Sequence, residues 1–219
     1  MSEAFYKTVR GIGRGVFHLA SRPMILHAER AGRPGAFILA ANHASPVDSA
    51  LIIHAAARVI HWISIVELFR RPFPRWFLSG MLAFPLDRSR ADAATMRAVA
   101  RRLRDGEVVG IFPEGGVRRS GDSVLRGGRI DDGVCKLAQL AGVPVIPCAV
   151  VGGENFASFP SWLPLRRTRW AVAFGEPIAL RNDLPRAEAR RVMVEQLQDA
   201  FRALQAEVRD HVPPHRSSA

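Results

Sequence analysis

The chain has 219 residues, 48% hydrophobic and 23% charged, enough for one domain with a buried core and too apolar for a disordered chain outside its Pro-Pro-His-Arg-Ser-Ser-Ala end. Lys and Arg number 31 against 20 Asp and Glu, and the net charge of +11 favours anionic partners: nucleic acid, an anionic membrane surface or phosphorylated substrates. Nucleic acid fits worst and is set aside, because the basic residues are scattered, no helix-turn-helix or zinc-ligand spacing occurs, and aromatics are not interleaved with them as in a stacking platform.

Taken in chain order, residues 4–20 place Phe5, Val9, Ile12, Val16 and Leu19 at helical spacing with Lys7, Arg10 and Arg14 between them. This is a basic amphipathic segment, suited to a membrane interface or to packing on its own domain, and weakened as a helix by Gly11, Gly13 and Gly15. Residues 36–41 read as a buried strand, about 46–58 as a helix, 60–65 as a second strand, 74–82 as an apolar helix and 81–86 as a short strand ending at Asp87-Arg88. A helix over 91–105 ends at Gly106; strand 108–112, helix 131–141, strands 145–151 and 170–174, and a long helix over 186–210 follow. Strands alternating with helices predict an α/β domain with a central, mostly parallel sheet flanked by helices, preceded by the N-terminal amphipathic segment.

The longest stretch free of Asp, Glu, Lys and Arg, Leu137 to Gly153, has 17 residues and contains Gly142, Pro144 and Pro147, so no transmembrane helix is expected. The N-terminus carries Glu3, Lys7, Arg10 and Arg14 around no apolar core, so no secretory signal is expected either. Cys135 and Cys148 are too few for a disulfide framework and read as buried thiols in a reducing compartment. The expected location is cytoplasmic, or peripheral on the inner face of a membrane. No metal or cofactor is expected.

Sites in parallel sheets gather beyond the carboxyl ends of strands. His43 follows the first predicted strand, and Asp48 lies five residues on. Pro46 disfavours the helical region at Ser45, so Ser45 reads as the N-cap, Pro46 as N1 and Asp48 as N3. Side chains lean toward the N-terminus of a helix, so Asp48 can reach back to His43 as an acid–base dyad. The alternative is structural: Ser45-x-x-Asp48 is close to a capping box, and on spacing alone a cap suffices. A second cluster follows the strand at 108–112. Gly115-Gly116 after Glu114 suits a backbone anion nest, and Arg118-Arg119 suit forked contacts to phosphate; a solvated surface loop is the structural alternative.

Four blocks in order resemble the glycerolipid acyltransferase family: Asn42-His43-Ala44-Ser45-Pro46-Val47-Asp48, then Gly80 to Arg88, then Phe112-Pro113-Glu114-Gly115, then Val143-Pro144-Val145-Ile146-Pro147. The resemblance, over roughly residues 35–180, implies His43 as general base and Asp48 as its partner. It implies Arg88, Glu114 and Gly115 as holding the acceptor's glycerol phosphate, and Pro144 and Pro147 as shaping the site or acyl region; Asn42, Ser45, Gly116 and Arg118 are further candidate substrate-binding residues. It implies an acyl-CoA or acyl carrier protein donor, a lysophospholipid acceptor and a membrane surface as partners, with no acyl-enzyme. The expected division is an amphipathic segment over 1–30, the acyltransferase domain over 31–212 and a tail over 213–219. The chain departs from the family after Glu114-Gly115. Where the family has Thr-Arg-Ser, this chain has Gly116-Val117-Arg118. Either Arg118 or Arg119 takes the arginine's place, or the acceptor carries another head group.

Overall fold

The computed structural model describes residues 3–86, 93–118, 122–156, 168–209 and 211–212. Among the described residues seven strands form one sheet: β1 (Ser21–Leu26), β2 (Phe37–Ala41), β3 (Ile60–Ile65), β4 (Phe84–Leu86), β5 (Val108–Ile111), β6 (Val145–Val151) and β7 (Thr168–Phe174). Their spatial order is β1-β7-β6-β2-β5-β3-β4. The five strands from β6 to β4 run parallel. β7 lies antiparallel to β6 and parallel to β1. The helices are α1 (Glu3–Ala20), α2 (Ala28–Gly32), α3 (Asp48–Ala55), α4 (Pro72–Gly80), α5 (Ala93–Arg104), α6 (Gly133–Ala141) and α7 (Arg186–Val208).

The strand residues divide between two cores by the period of two that a pleated strand imposes. Phe37, Leu39 and Ala41 of β2 join Ile146, Cys148 and Val150 of β6 and Trp170, Val172 and Phe174 of β7 on the face covered by α1 and α3. Ile38 and Ala40 join Val145, Ala149, Ala171 and Ala173 on the opposite face, under Val99 and Leu103 of α5, Val134 and Leu137 of α6, and Met193, Leu197 and Phe201 of α7. Burial on both faces explains why the central strands read as continuous apolar runs.

The mostly parallel α/β architecture is as expected from the alternation of elements, with two additions. β1 and α2 have no apolar run long enough to announce them. β1 contains Pro23 and, among the described residues, pairs only with β7, the edge position at which a missing N–H is tolerated. α1 forms along the predicted segment despite its three glycines, because tertiary contacts hold it. Tyr6 is fully buried and its hydroxyl accepts the Ile60 N–H (3.2 Å). Arg14 donates to the carbonyls of His54 and Ala56 (both 3.1 Å), and Arg10 to that of Ala57 (3.0 Å). These two arginines satisfy the orphan carbonyls at the end of α3. Among the described residues no helix is long and apolar enough to cross a membrane.

Candidate active site

The ends of β2, β3, β5 and β6 point the same way, so the segments leaving them meet beyond one edge of the sheet. Asn42 begins the segment leaving β2. The β2–β6 ladder closes at Ala41 and Cys148, and the Asn42 amide extends it: Oδ1 accepts the Val150 N–H (2.7 Å) and Nδ2 donates to the Val150 carbonyl (2.8 Å). A side chain thus imitates a backbone pair while the chain itself turns away.

α3 starts at Asp48, two residues later than proline at N1 would have it, after a turn in which the Asp48 N–H donates to Ser45 O (3.1 Å). Ser45 Oγ accepts the Val47 N–H (3.3 Å). The fully buried Asp48 carboxylate turns back, and its Oδ2 accepts the N–H groups of Ala44 and Ser45, each at 2.7 Å. The same oxygen lies 3.2 Å from His43 Nδ1. The expected Ser45 cap does not form: Val47 stands at the N-cap position and makes no side-chain cap bond. Oδ2 instead ties the turn before the helix and holds the imidazole, leaving Nε2 as the ring nitrogen available to a ligand.

The loop after β5 grips His43 from the other side. Phe112 stacks on the imidazole at 4.0 Å and 14°, and Trp62 of β3 stacks on Phe112 at 4.6 Å and 15°. Gly110 makes this possible: a Cβ there would stand 2.7 Å from Trp62 ring atoms. Glu114 is buried, and both its oxygens have protein partners. Oε2 accepts the His43 N–H (2.7 Å), and Oε1 accepts the Ser123 hydroxyl and the Val124 N–H (2.8 Å each). The Arg118 N–H donates to the His43 carbonyl (2.6 Å), so both backbone groups of His43 are held by one loop. Gly115 turns that loop with φ +70°.

His43, Gly115, Gly116 and Val117 line a cleft of about 1460 Å³. Its walls are mainly apolar, including Phe17, Ile53, Leu78 and Met81 on one side and Met96, Val134, Leu137 and Leu140 on the other. The cleft exceeds the roughly 300–1,000 Å³ usual for a single small ligand. A half-buried imidazole backed by a buried carboxylate, opening onto a large and mainly apolar cleft, suits a lipid-like ligand.

Residues 24–151 match the family model described as Acyltransferase. The chain belongs to that family. A 1-acyl-sn-glycerol-3-phosphate acyltransferase of Bacillus subtilis (strain 168) is 25% identical over 203 residues, covering 91% of this chain and 96% of that protein. One from Borreliella burgdorferi is 30% identical over 123 residues, 54% of this chain and 47% of that protein. The crystal structure of the 1-acyl-sn-glycerophosphate acyltransferase PlsC from Thermotoga maritima shares the fold, with a TM-score of 0.67 at 22% identity over 92% of this chain and 80% of that one.

In this acyltransferase the expected site residues separate by position. His43, Gly115 and Gly116 face the cleft, while Asn42, Ser45, Asp48 and Glu114 are buried behind them and bonded to the protein. Arg118 is exposed, with its Nη2 3.4 Å from the Glu114 carbonyl. Arg88 and Arg119 lie outside the described residues. Pro144 stands at the opposite end of β6 from His43, and Pro147 is buried in the sheet opposite Ala40. The aromatic stack of Trp62 and Phe112 went unread in the sequence, although Gly110 inside an apolar strand was a signal of close approach.

Proposed function

We propose that this acyltransferase moves a fatty acyl chain from the thioester of acyl-CoA or acyl carrier protein to the free hydroxyl of a lysophosphatidate-like acceptor, in phospholipid synthesis. The observation that carries the reading is the His43–Asp48 pair, 3.2 Å apart, with His43 on the wall of a large, mainly apolar cleft. His43 Nε2 takes the proton of the acceptor hydroxyl as its oxygen attacks the thioester carbonyl. The tetrahedral intermediate collapses, the C–S bond breaks, and the proton passes from the imidazolium to the departing thiolate. The products are an ester and a free thiol, with no acyl-enzyme. Asp48 keeps the proton on Nδ1 and stabilises the imidazolium.

The oxygens of Asn42 and Glu114 have protein partners, which supports positioning roles for both. The acceptor phosphate is assigned to Gly115, Gly116, Arg118 and Arg88. Val117, where the family has arginine, favours a second reading in which the acceptor is a lysolipid with another head group. The test is a panel of lysolipid acceptors with acyl-CoA and acyl carrier protein donors, read by thiol release and product mass. Transfer to lysophosphatidate supports the first reading. Transfer only to other lysolipids supports the second. Thiol release without any acceptor would mean hydrolysis instead.

Peripheral binding at the inner membrane face belongs to the same proposal. Ile12 and Leu19 of α1 are 66% and 65% exposed, and Phe73 of α4 is 71% exposed. The two helices touch, Trp76 packing edge-on against Phe5 at 5.4 Å. Their outer faces form an apolar surface suited to a lipid interface. Sedimentation with anionic vesicles tests it, and a protein left in the supernatant at low salt would refute it.

A further inference from the structure

Gly152-Gly153 follows β6 directly, just past the residues that match the family model. Gly152 has φ +86°, and a Cβ there would lie 2.6 Å from the Arg169 carbonyl of β7, so the chain turns tightly against the sheet. The turn carries Gly153 onto the back of the dyad. A Cβ at Gly153 would overlap Asp48 Oδ1 and stand 3.2 Å from Ser45 Cβ. The backbone of Gly153 is not left-handed, so its requirement for glycine is spatial alone.

Asp48 Oδ1 is buried and has no hydrogen-bond partner among the described residues, whereas Oδ2 has three neighbours. Among the described residues, hydrogen bonds therefore orient the carboxylate through one oxygen only. The other oxygen lies where a Cβ of residue 153 would be, so Gly153 leaves the space it occupies. β6 and the turn that follows it thus back the site twice, through Val150 on Asn42 and through Gly153 on Asp48.

We infer that Gly153 is a positioning residue that seats the Asp48 carboxylate, so that Oδ2 faces His43 Nδ1. A methyl group there rotates or displaces the carboxylate and frees the imidazole. The catalytic consequence rests on the proposed acyl transfer by His43; the placement itself does not. In Gly153→Ala, kcat falls about 10- to 100-fold, the scale of a misplaced catalytic group, while KM stays within about twofold. The hydrogen-bonded Nδ1–H resonance of His43, followed with ¹⁵N-labelled histidine, is lost as it is in Asp48→Asn.

A stability cycle reads the contact without activity. Gly153→Ala lowers Tm in the wild-type background and produces little further loss on top of Asp48→Ala, because the overlapping oxygen is gone. An equal Tm loss in both backgrounds, or a folded Gly153→Ala with the wild-type Nδ1–H signal and kcat, would overturn the inference. Should the wild-type protein transfer no acyl group to any acceptor, the proposed function fails, and the resonance and the cycle still decide the placement.

Discussion

Asp48 shows how one oxygen can hold a turn of backbone and an imidazole together. Its Oδ2 accepts the Ala44 and Ser45 N–H groups of the turn before α3 and faces His43 Nδ1. Asp48→Asn is therefore expected to lower both stability and kcat, whereas His43→Ala is expected to remove activity with little change in Tm. Glu114 is a second such residue. Glu114→Ala leaves the His43 N–H and the buried Val124 N–H without their acceptor, and groups of that kind cost about 1–3 kcal/mol each. A drop in denaturation free energy of that order, with kcat reduced more than acceptor KM rises, is the expected result. A change confined to acceptor KM would instead mark Glu114 as an acceptor ligand. Phe112→Leu removes ring stacking worth about 0.5–1.5 kcal/mol and loosens the imidazole plane. A fall in kcat of roughly tenfold at near wild-type Tm is expected; unchanged kinetics would show that Asp48 holds the ring alone.

At the scale of elements, α1 is part of the domain through side chains that its pattern did not assign. Arg10 and Arg14 looked like charges for a lipid surface, and they bond instead to the carbonyls at the end of α3. The apolar residues of the other face remain exposed, so a lipid contact by α1 would be chiefly hydrophobic. Its vesicle binding should accordingly depend more on Leu19 and Ile12 than on salt. Ile12→Ser with Leu19→Ser should release the protein from vesicles, and full retention would exclude this face. The α1–α3 contact also contains a pH-sensitive group. Burial, then the charges of Arg14 and His18, hold His54 down to about 4. Burial first, then Arg102, holds His61 below the ordinary histidine value. In the unfolded chain both would take up a proton near 6.5. Between about pH 6.5 and 4 the unfolded state binds more protons, so stability is complete above that window and is lost as pH falls through it. Tm should decline across that range, and His54→Gln should flatten the decline. A Tm independent of pH there would refute the assignment.

For the whole molecule, legibility followed the range of the interactions. The central strands were readable because each is buried on both faces and so is apolar throughout. β1 was not, because an edge strand with Pro23 is stabilised by one neighbour and has no pattern of its own. The nearness of His43 and Asp48 was readable because a proline-interrupted helix start folds locally. The backing of that pair was not, since Val150, Gly153, Phe112, Trp62 and Glu114 reach it only through the parallel sheet. The sheet brings four strand ends to one edge, and the site is what stands there. The most direct test is a double-mutant cycle on kcat for acyl transfer with His43→Ala, Asp48→Asn and the pair. If His43 is the base and Asp48 acts through it, His43→Ala loses about 10²–10⁴, and Asp48→Asn added to it costs nothing further. Independent, multiplying losses, or a His43→Ala protein that still transfers acyl groups at the wild-type rate, would contradict the dyad.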